Sequence, residues 1–198
     1  MRLGWRSLLA LLAAFGVWVM VGQFLFPVYA AKLVLPTTSA ILGWIGPEGV
    51  EDLRIADEFP YLSWHYMLDG QQQMGRISFI LFVYNSVLYL TLATALPGLT
   101  LKGRLLFGIS AAPVMFLFHL ADLSLAIEGR LLSAVAPQHT DFLEDFSLWY
   151  SFVKVYNHMS IMAIKQIVFG GLFYLQWILA DGPQGFPLSG LRKAARSG

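Results

Sequence analysis

Apolar residues in this chain fall in long blocks rather than at the regular spacing of a half-buried helix or strand. The first is SLLALLAAFGVWVMVGQFLF over residues 7–26, and the second is ISFILFVYNSVLYLTLATAL over 77–96. A third covers 105–127 and a fourth covers 157–180, with FSLWYSFVKV before it as a helical approach along the interface. Each nears the ~20 residues that carry a helix across a bilayer. The pattern predicts an all-α integral membrane protein, one membrane domain over residues 1–198 with four transmembrane helices. Between the first two spans, residues 31–76 are too long for a linker. There AKLVLPTTSAILGWIG reads as an amphipathic or re-entrant helix, too interrupted to span. VEDLRIADEF and YLSWHYMLDG mix charges with Tyr and Trp, which suits a small structured cap at headgroup level with room for a strand pair. The segment 183–198 has the composition of a disordered tail.

Composition strengthens the membrane reading and removes several chemistries. The chain is 57% hydrophobic and 13% charged, against about 25% charged in ordinary soluble domains. A net charge of +1 offers no field for nucleic acid. There is no Cys, so thiol nucleophiles, disulfides and thiolate metal sites are excluded. No glycine-rich phosphate loop and no HExxH motif occurs, and neither a cofactor nor a metal is expected. His65 and His139 are too far apart in sequence to argue a metal site.

Charge also sets the orientation. Arg2 and Arg6 flank the first block, Lys102 and Arg104 lie between the second and third, and Arg192, Lys193 and Arg196 follow the fourth. With both termini inside, these cations share the cytoplasmic face. Glu48, Glu51, Asp52, Asp57, Glu58 and Asp69 then lie outside, as do Glu128, Asp141, Glu144 and Asp145. The first block resembles a signal peptide, with VYA at 28–30 as a cleavage-like site, but its core exceeds the usual length and three spans follow. An uncleaved anchor is expected.

Few polar residues interrupt the spans, and they share a depth. At about 1.5 Å per residue, Asp122 lies about 7 Å and His119 about 12 Å below the outer end of the third block. Asn85 and Lys165 each fall about 12 Å below the outer ends of theirs. His119 and Asp122, three apart, are neighbours on one helical face. Lys154, His158 and Lys165 also share a face at α-helical period, and Tyr89 follows Asn85 by one turn. Bundled inward, Asn85, Tyr89, His119, Asp122, His158 and Lys165 would line a polar pocket in the outer leaflet.

Two roles compete for these groups. Asp122 and Lys165 suit an ion pair that fixes helix packing, or a binding pair in which Lys165 grips a carboxylate or phosphate. His119 suits either an imidazole bridging helices or proton transfer. His158 fits a snorkelling position at the rim, and Asn85 fits interhelical hydrogen bonding. Trp149, Tyr150 and Trp177 read as interfacial belt anchors. If the chain is an enzyme, its catalytic candidates are His119, Asp122 and His158, acting on a lipid-linked or membrane-embedded ester with Ser86 or Ser124 as nucleophile and Lys165 as anion clamp. Neither serine sits in a recognisable nucleophile elbow. A transport or channel subunit is a third reading, with few spans and no repeat to favour it.

The order VYNSVLYL, FHLADLSL, VYNHMSIM resembles the rhythm of the exosortases and archaeosortases, polytopic sorting transpeptidases with Cys, Arg and His in that order. Here Asn85 or Ser86 stands at the Cys position, His119 or Asp122 at the Arg position, and His158 at the His position. Without Cys, that mechanism is excluded. A closer resemblance is to the exosortase-associated membrane proteins, of the type that accompanies exosortase H. It is carried by GPEGVEDL at 46–53, FVYN at 82–85 and LADLSLAI at 120–127, with Ser86 where that pattern has Pro. The resemblance implies a non-catalytic accessory protein in the inner membrane of a Gram-negative bacterium. Its partners would be the lipid bilayer and an exosortase, or a transmembrane sorting signal.

Overall fold

The computed structural model describes residues 5–45, 50–56, 60–68, 70–95, 100–135 and 140–179. Helix α1 (Trp5–Tyr29) passes through a π-helical turn (Ala30–Val34) into α2 (Leu35–Ile45). Three strands follow, β1 (Val50–Ile55), β2 (Tyr61–Leu68) and β3 (Gln71–Ser78), and then α3 (Ile80–Ala95) and α4 (Leu101–Val135). Helix α5 (Thr140–Met159) runs through a second π-helical turn (Ser160–Ile164) into α6 (Lys165–Leu179).

The fold is therefore mostly helical but not all-α, because the cap is a three-stranded antiparallel sheet in the order β1-β2-β3. Alternation in YLSWHYML builds it: Leu62 and Trp64 are buried on one face while Tyr61 and Met67 on the other are exposed. Leu68 pairs with Gln71 across a two-residue turn, where Gly70 takes φ 75°, a value that an L side chain rarely tolerates. Between Glu51 and Arg54 the β1–β2 register slips at a bulge, with Asp52 at φ 52°. Its carboxylate there meets the Arg54 guanidinium at 3.2 Å and His65 Nδ1 at 3.5 Å.

Several boundaries move. The stretch expected as a separate re-entrant helix continues the first helix. The ladder is re-phased between Pro27 and Pro36, which has no amide hydrogen to give, and the Leu35 amide donates instead to the Ala30 carbonyl, five residues back. Ile77 and Ser78, expected to open the second span, close β3, so α3 is only 16 residues long. Helix α4, which carries the third apolar block, extends to 35 residues and takes Glu128, expected in an outer loop, into the core at 0% exposure. Glu48, Asp57, Glu58, Asp69, His139 and the tail 183–198 lie outside the described residues, as do the side chains of Asp141, Glu144, Asp145 and Trp177.

Two helical stretches, Ser7–Trp44 and Leu101–Ala134, are long and apolar enough to cross a membrane, and Phe82–Ala95 is a shorter apolar helix. Only 6% of the most apolar window of the first stretch is buried by protein. Residues such as Leu12, Met20 and Phe24 stand exposed along it. A helix apolar on its open faces suits a hydrocarbon surround. Helix α1 packs on α3, α4 on α5, α3 on both α4 and α6, and α2 on β1 and α4.

The core forms two clusters. One joins the sheet to the bundle through Val34, Leu42, Leu62, Trp64, Phe82 and Leu123, so the cap is built into the helices rather than tethered to them. The other gathers Tyr89, Ala93, Phe107, Ala111, Met115 and Phe169 among α3, α4 and α6.

Candidate functional site

The centre of the site is the ion pair of Asp122 on α4 and Lys165 at the start of α6. Nζ lies 2.8 Å from Oδ2, with side-chain exposures of 3% and 7%. Ser160 donates its hydroxyl to Asp122 Oδ1, and the Tyr156 hydroxyl donates to the same oxygen at 3.3 Å. Lys165 Nζ also lies 4.5 Å from the centre of the Phe82 ring, a cation–π contact that strengthens where water is excluded. One buried carboxylate thus takes a cation and two hydroxyls, the satisfaction that a buried charge requires.

The second π-turn makes this convergence possible. Residues five apart on a regular α-helix point about 140° away from each other. A π-turn closes its hydrogen bonds over five residues, so positions five apart return to nearly one face. Ser160 and Lys165 bracket the turn and both reach Asp122. Tyr156, one α-helical turn before Ser160, joins them. The same re-phasing removes His158, which is exposed and does not share the face of Lys165 as α-period counting predicts.

His119 belongs to a separate network. Its Nδ1 is 2.9 Å from the Tyr29 hydroxyl of α1, and its Nε2 is 3.1 Å from the Ser86 hydroxyl of α3. A neutral imidazole has one N–H and one lone pair, so one hydroxyl accepts from it and the other donates to it. Three helices are tied at that ring, which is 2% exposed. Although His119 and Asp122 are neighbours on α4, the step of three residues rotates them by about 60°, enough to aim them at different helices. Asn85 is buried beside Ser86 but makes no hydrogen bond to His119, Asp122 or Lys165 among the described residues. Tyr89 is also elsewhere. Its hydroxyl lies one turn deeper, donating to Gln176 Oε1 and, at 3.2 Å, to the Phe107 carbonyl. Gln176 Nε2 in turn donates to Ser110 Oγ at 2.5 Å.

Beside the ion pair a cleft of about 290 Å³ opens between α4 and the α5–α6 rod. Asp122, Ser160 and Lys165 line it together with Phe82, Ala126 and Val153, and Arg130, Tyr150 and Lys154 also border it. Neither Ser86 nor His119 is on its wall. Two residues hold the cleft in shape: Asn157, which the sequence does not single out, and Trp149, which it marks only as a belt anchor. The Asn157 amide donates to the Leu125 carbonyl of α4 at 2.9 Å, and Trp149 Nε1 donates to Glu128 Oε1 at 3.2 Å. Trp149, expected as a belt anchor at the end of a span, instead lies midway along α5 and bonds within the protein. The other oxygen of Glu128 has no hydrogen-bond partner among the described residues.

Gly129 permits the first of these contacts, because a Cβ there would lie 2.0 Å from Asn157 Nδ2. Gly129→Ala is expected to push the amide off the Leu125 carbonyl and cost about 1–2 kcal/mol, the value of one buried interhelical hydrogen bond. Thermal unfolding in detergent checks this. Asn157→Ala in the same chain should then add little, since both changes remove one contact.

Compared with protein-family models, with curated proteins and with solved structures, the chain has no match in any of the three.

Proposed function

We propose that this chain is a four-span inner-membrane protein with both termini in the cytoplasm, acting as a non-catalytic accessory subunit of an exosortase-type sorting system. In that reading α1, α3, α4 and the α5–α6 rod cross the bilayer, and the sheet caps them on the outer face. The observation that carries the binding role is the division of polar groups. The cleft holds a carboxylate already matched to a lysine and two hydroxyls. The contact of Ser86 with His119 is sealed in the core away from that cleft. Such an arrangement suits recognition of a membrane partner better than turnover. The sorting role rests on the resemblance of GPEGVEDL, FVYN and LADLSLAI, and on the absence of a thiol that would make the chain a transpeptidase itself.

A second reading has one specific observation in its favour. Ser86 Oγ at 3.1 Å from His119 Nε2, with Tyr29 on the other ring nitrogen, is the spacing of a nucleophile, its base and an orienting group. Catalysis would require the helices to part, because both groups are 2% exposed. Affinity purification from detergent separates the two readings. The accessory role predicts co-elution with a sorting transpeptidase and unchanged complex formation in Ser86→Ala. A chain that purifies alone, hydrolyses a membrane-embedded ester and loses that activity in Ser86→Ala would replace the first reading with the second.

A further inference from the structure

The charge lining the cleft does not balance. Lys165 is matched by Asp122 at 2.8 Å. Arg130 on α4 and Lys154 on α5 add two cations from the cleft's two sides, and among the described residues no further acid lines it. Among the described residues neither of these two is in an ion pair, and Lys154 Nζ instead lies 5.5 Å from the centre of the Tyr150 ring. Both are exposed, so they border open space rather than a buried acid. Two like charges facing one cleft repel, and a bound anion relieves that repulsion.

Height along the helices gives the surplus a direction. Arg130 is eight residues beyond Asp122 on α4, about 12 Å along the axis. Lys154 is eleven residues before Lys165 on the antiparallel rod, about 16 Å the same way. Two cations from two helices therefore stand at similar heights above a buried ion pair. The wall between is apolar, formed by Phe82, Ala126 and Val153. In the proposed orientation, which this inference adopts, the pair lies within the outer leaflet and the two cations reach the headgroup layer. A volume of 290 Å³ lies near the lower limit of small-ligand sites. It has room for a phosphate and its glycerol but not for two acyl chains, which would stay in the bilayer.

We propose that the cleft between α4 and the α5–α6 rod binds the phosphodiester of an anionic lipid headgroup, held between Arg130 and Lys154 above the Asp122–Lys165 pair. Arg130 supplies a planar fork of N–H donors suited to two phosphate oxygens, and Lys154 adds a point charge from the opposite helix. Asp122 does not repel the anion, because Lys165, Ser160 and Tyr156 already engage its carboxylate. Apolar residues below the cations suit the upper methylenes of an acyl chain. A zwitterionic lipid brings its own cation and would gain less from the surplus.

Native mass spectrometry of the full chain in detergent, titrated with phosphatidylglycerol or phosphatidylcholine, tests this. Phosphatidylglycerol is expected to bind at least about tenfold more tightly. Arg130→Gln with Lys154→Gln should weaken it by about tenfold to a hundredfold, the loss of one or two charge-assisted contacts. Both positions are exposed, so the double variant should fold, and Lys102→Gln at the opposite end of α4 should leave binding unchanged. Competition by millimolar inorganic phosphate would assign recognition to the phosphate alone. Its failure to compete would assign recognition to the lipid as a whole. Equal binding of the two lipids, or full binding by the double variant, would overturn the proposal. Resistance of the chain to alkaline extraction from membranes reads the spanning topology separately, so the two failures are distinguishable.

Discussion

Lys165→Met is expected to destabilise the protein by about 3–5 kcal/mol, more than any other single change near the cleft. Removing one partner of a buried ion pair leaves the other charge without compensation, and that residual burial costs more than the pair itself contributed. Asp122 is 2% exposed and would keep only the hydroxyls of Ser160 and Tyr156. The converse change should cost less. In Asp122→Asn, Lys165 retains the Phe82 ring at 4.5 Å, and its long stem lets the ammonium move toward the cleft mouth. Lys165→Met combined with Asp122→Asn should recover most of the loss, since a neutral amide still accepts from both hydroxyls. Thermal unfolding in detergent is expected to show the single variant melting on the order of 10 °C lower. Recovery in the double variant is the diagnostic result. If the double variant melts no higher than Lys165→Met alone, the lysine stabilises through packing and not by compensating Asp122.

That pair was legible in the sequence because charge is scarce inside apolar blocks. Counting rise per residue set Asp122 and Lys165 within about 5 Å of each other in depth, and they meet at 2.8 Å. Face was harder to read than depth. Lys154, His158 and Lys165 align at α-helical period, yet residues 160–164 form a π-turn that shifts the phase by roughly a quarter turn. His158 leaves the face and Ser160 enters it. Nothing in SIMAI marks that turn: it holds no Pro and no Gly. Asp122 and Lys165 at the meeting of two helices are its visible beneficiaries. Tyr89 shows a related limit, since shared helix face with Asn85 says nothing about which neighbour lies one turn deeper. Its charge marks Glu128 as a loop acid, but the helix continues past it and the Trp149 indole donates to one of its oxygens. The cap carried its own signals in the alternation of YLSWHYML and the Asp-Gly pair before QQQMGRIS, which together specify a hairpin. Hydropathy across the surrounding blocks outweighed those local cues.

Gly75→Ala is the second large effect, and it acts through the cap. Trp64 pairs with Gly75 across β2 and β3, and its indole lies over the glycine. A Cβ there would stand 2.2 Å from Trp64 Cε2 and 2.3 Å from Cζ2. Trp64 is 1% exposed and belongs to the buried cluster that also holds Leu42, Leu62, Phe79 and Phe82, so a rigid ring has little room to yield. Overpacking of this kind is expected to cost about 2–3 kcal/mol. Trp64→Leu in the Gly75→Ala background should cost at least about 1 kcal/mol less than in the natural chain, because the clash and the ring are removed together. The consequence should travel beyond the sheet. Ile77, two residues along β3, and Phe82 both line the cleft, and both belong to the cluster that Trp64 fills. Displacing the indole therefore shifts the cleft wall that faces the Asp122–Lys165 pair. Gly75→Ala should lower lipid-headgroup affinity as well as melting temperature, although residue 75 itself touches no part of the cleft. A lowered melting temperature with unaltered headgroup affinity would show that the cap folds independently of the cleft.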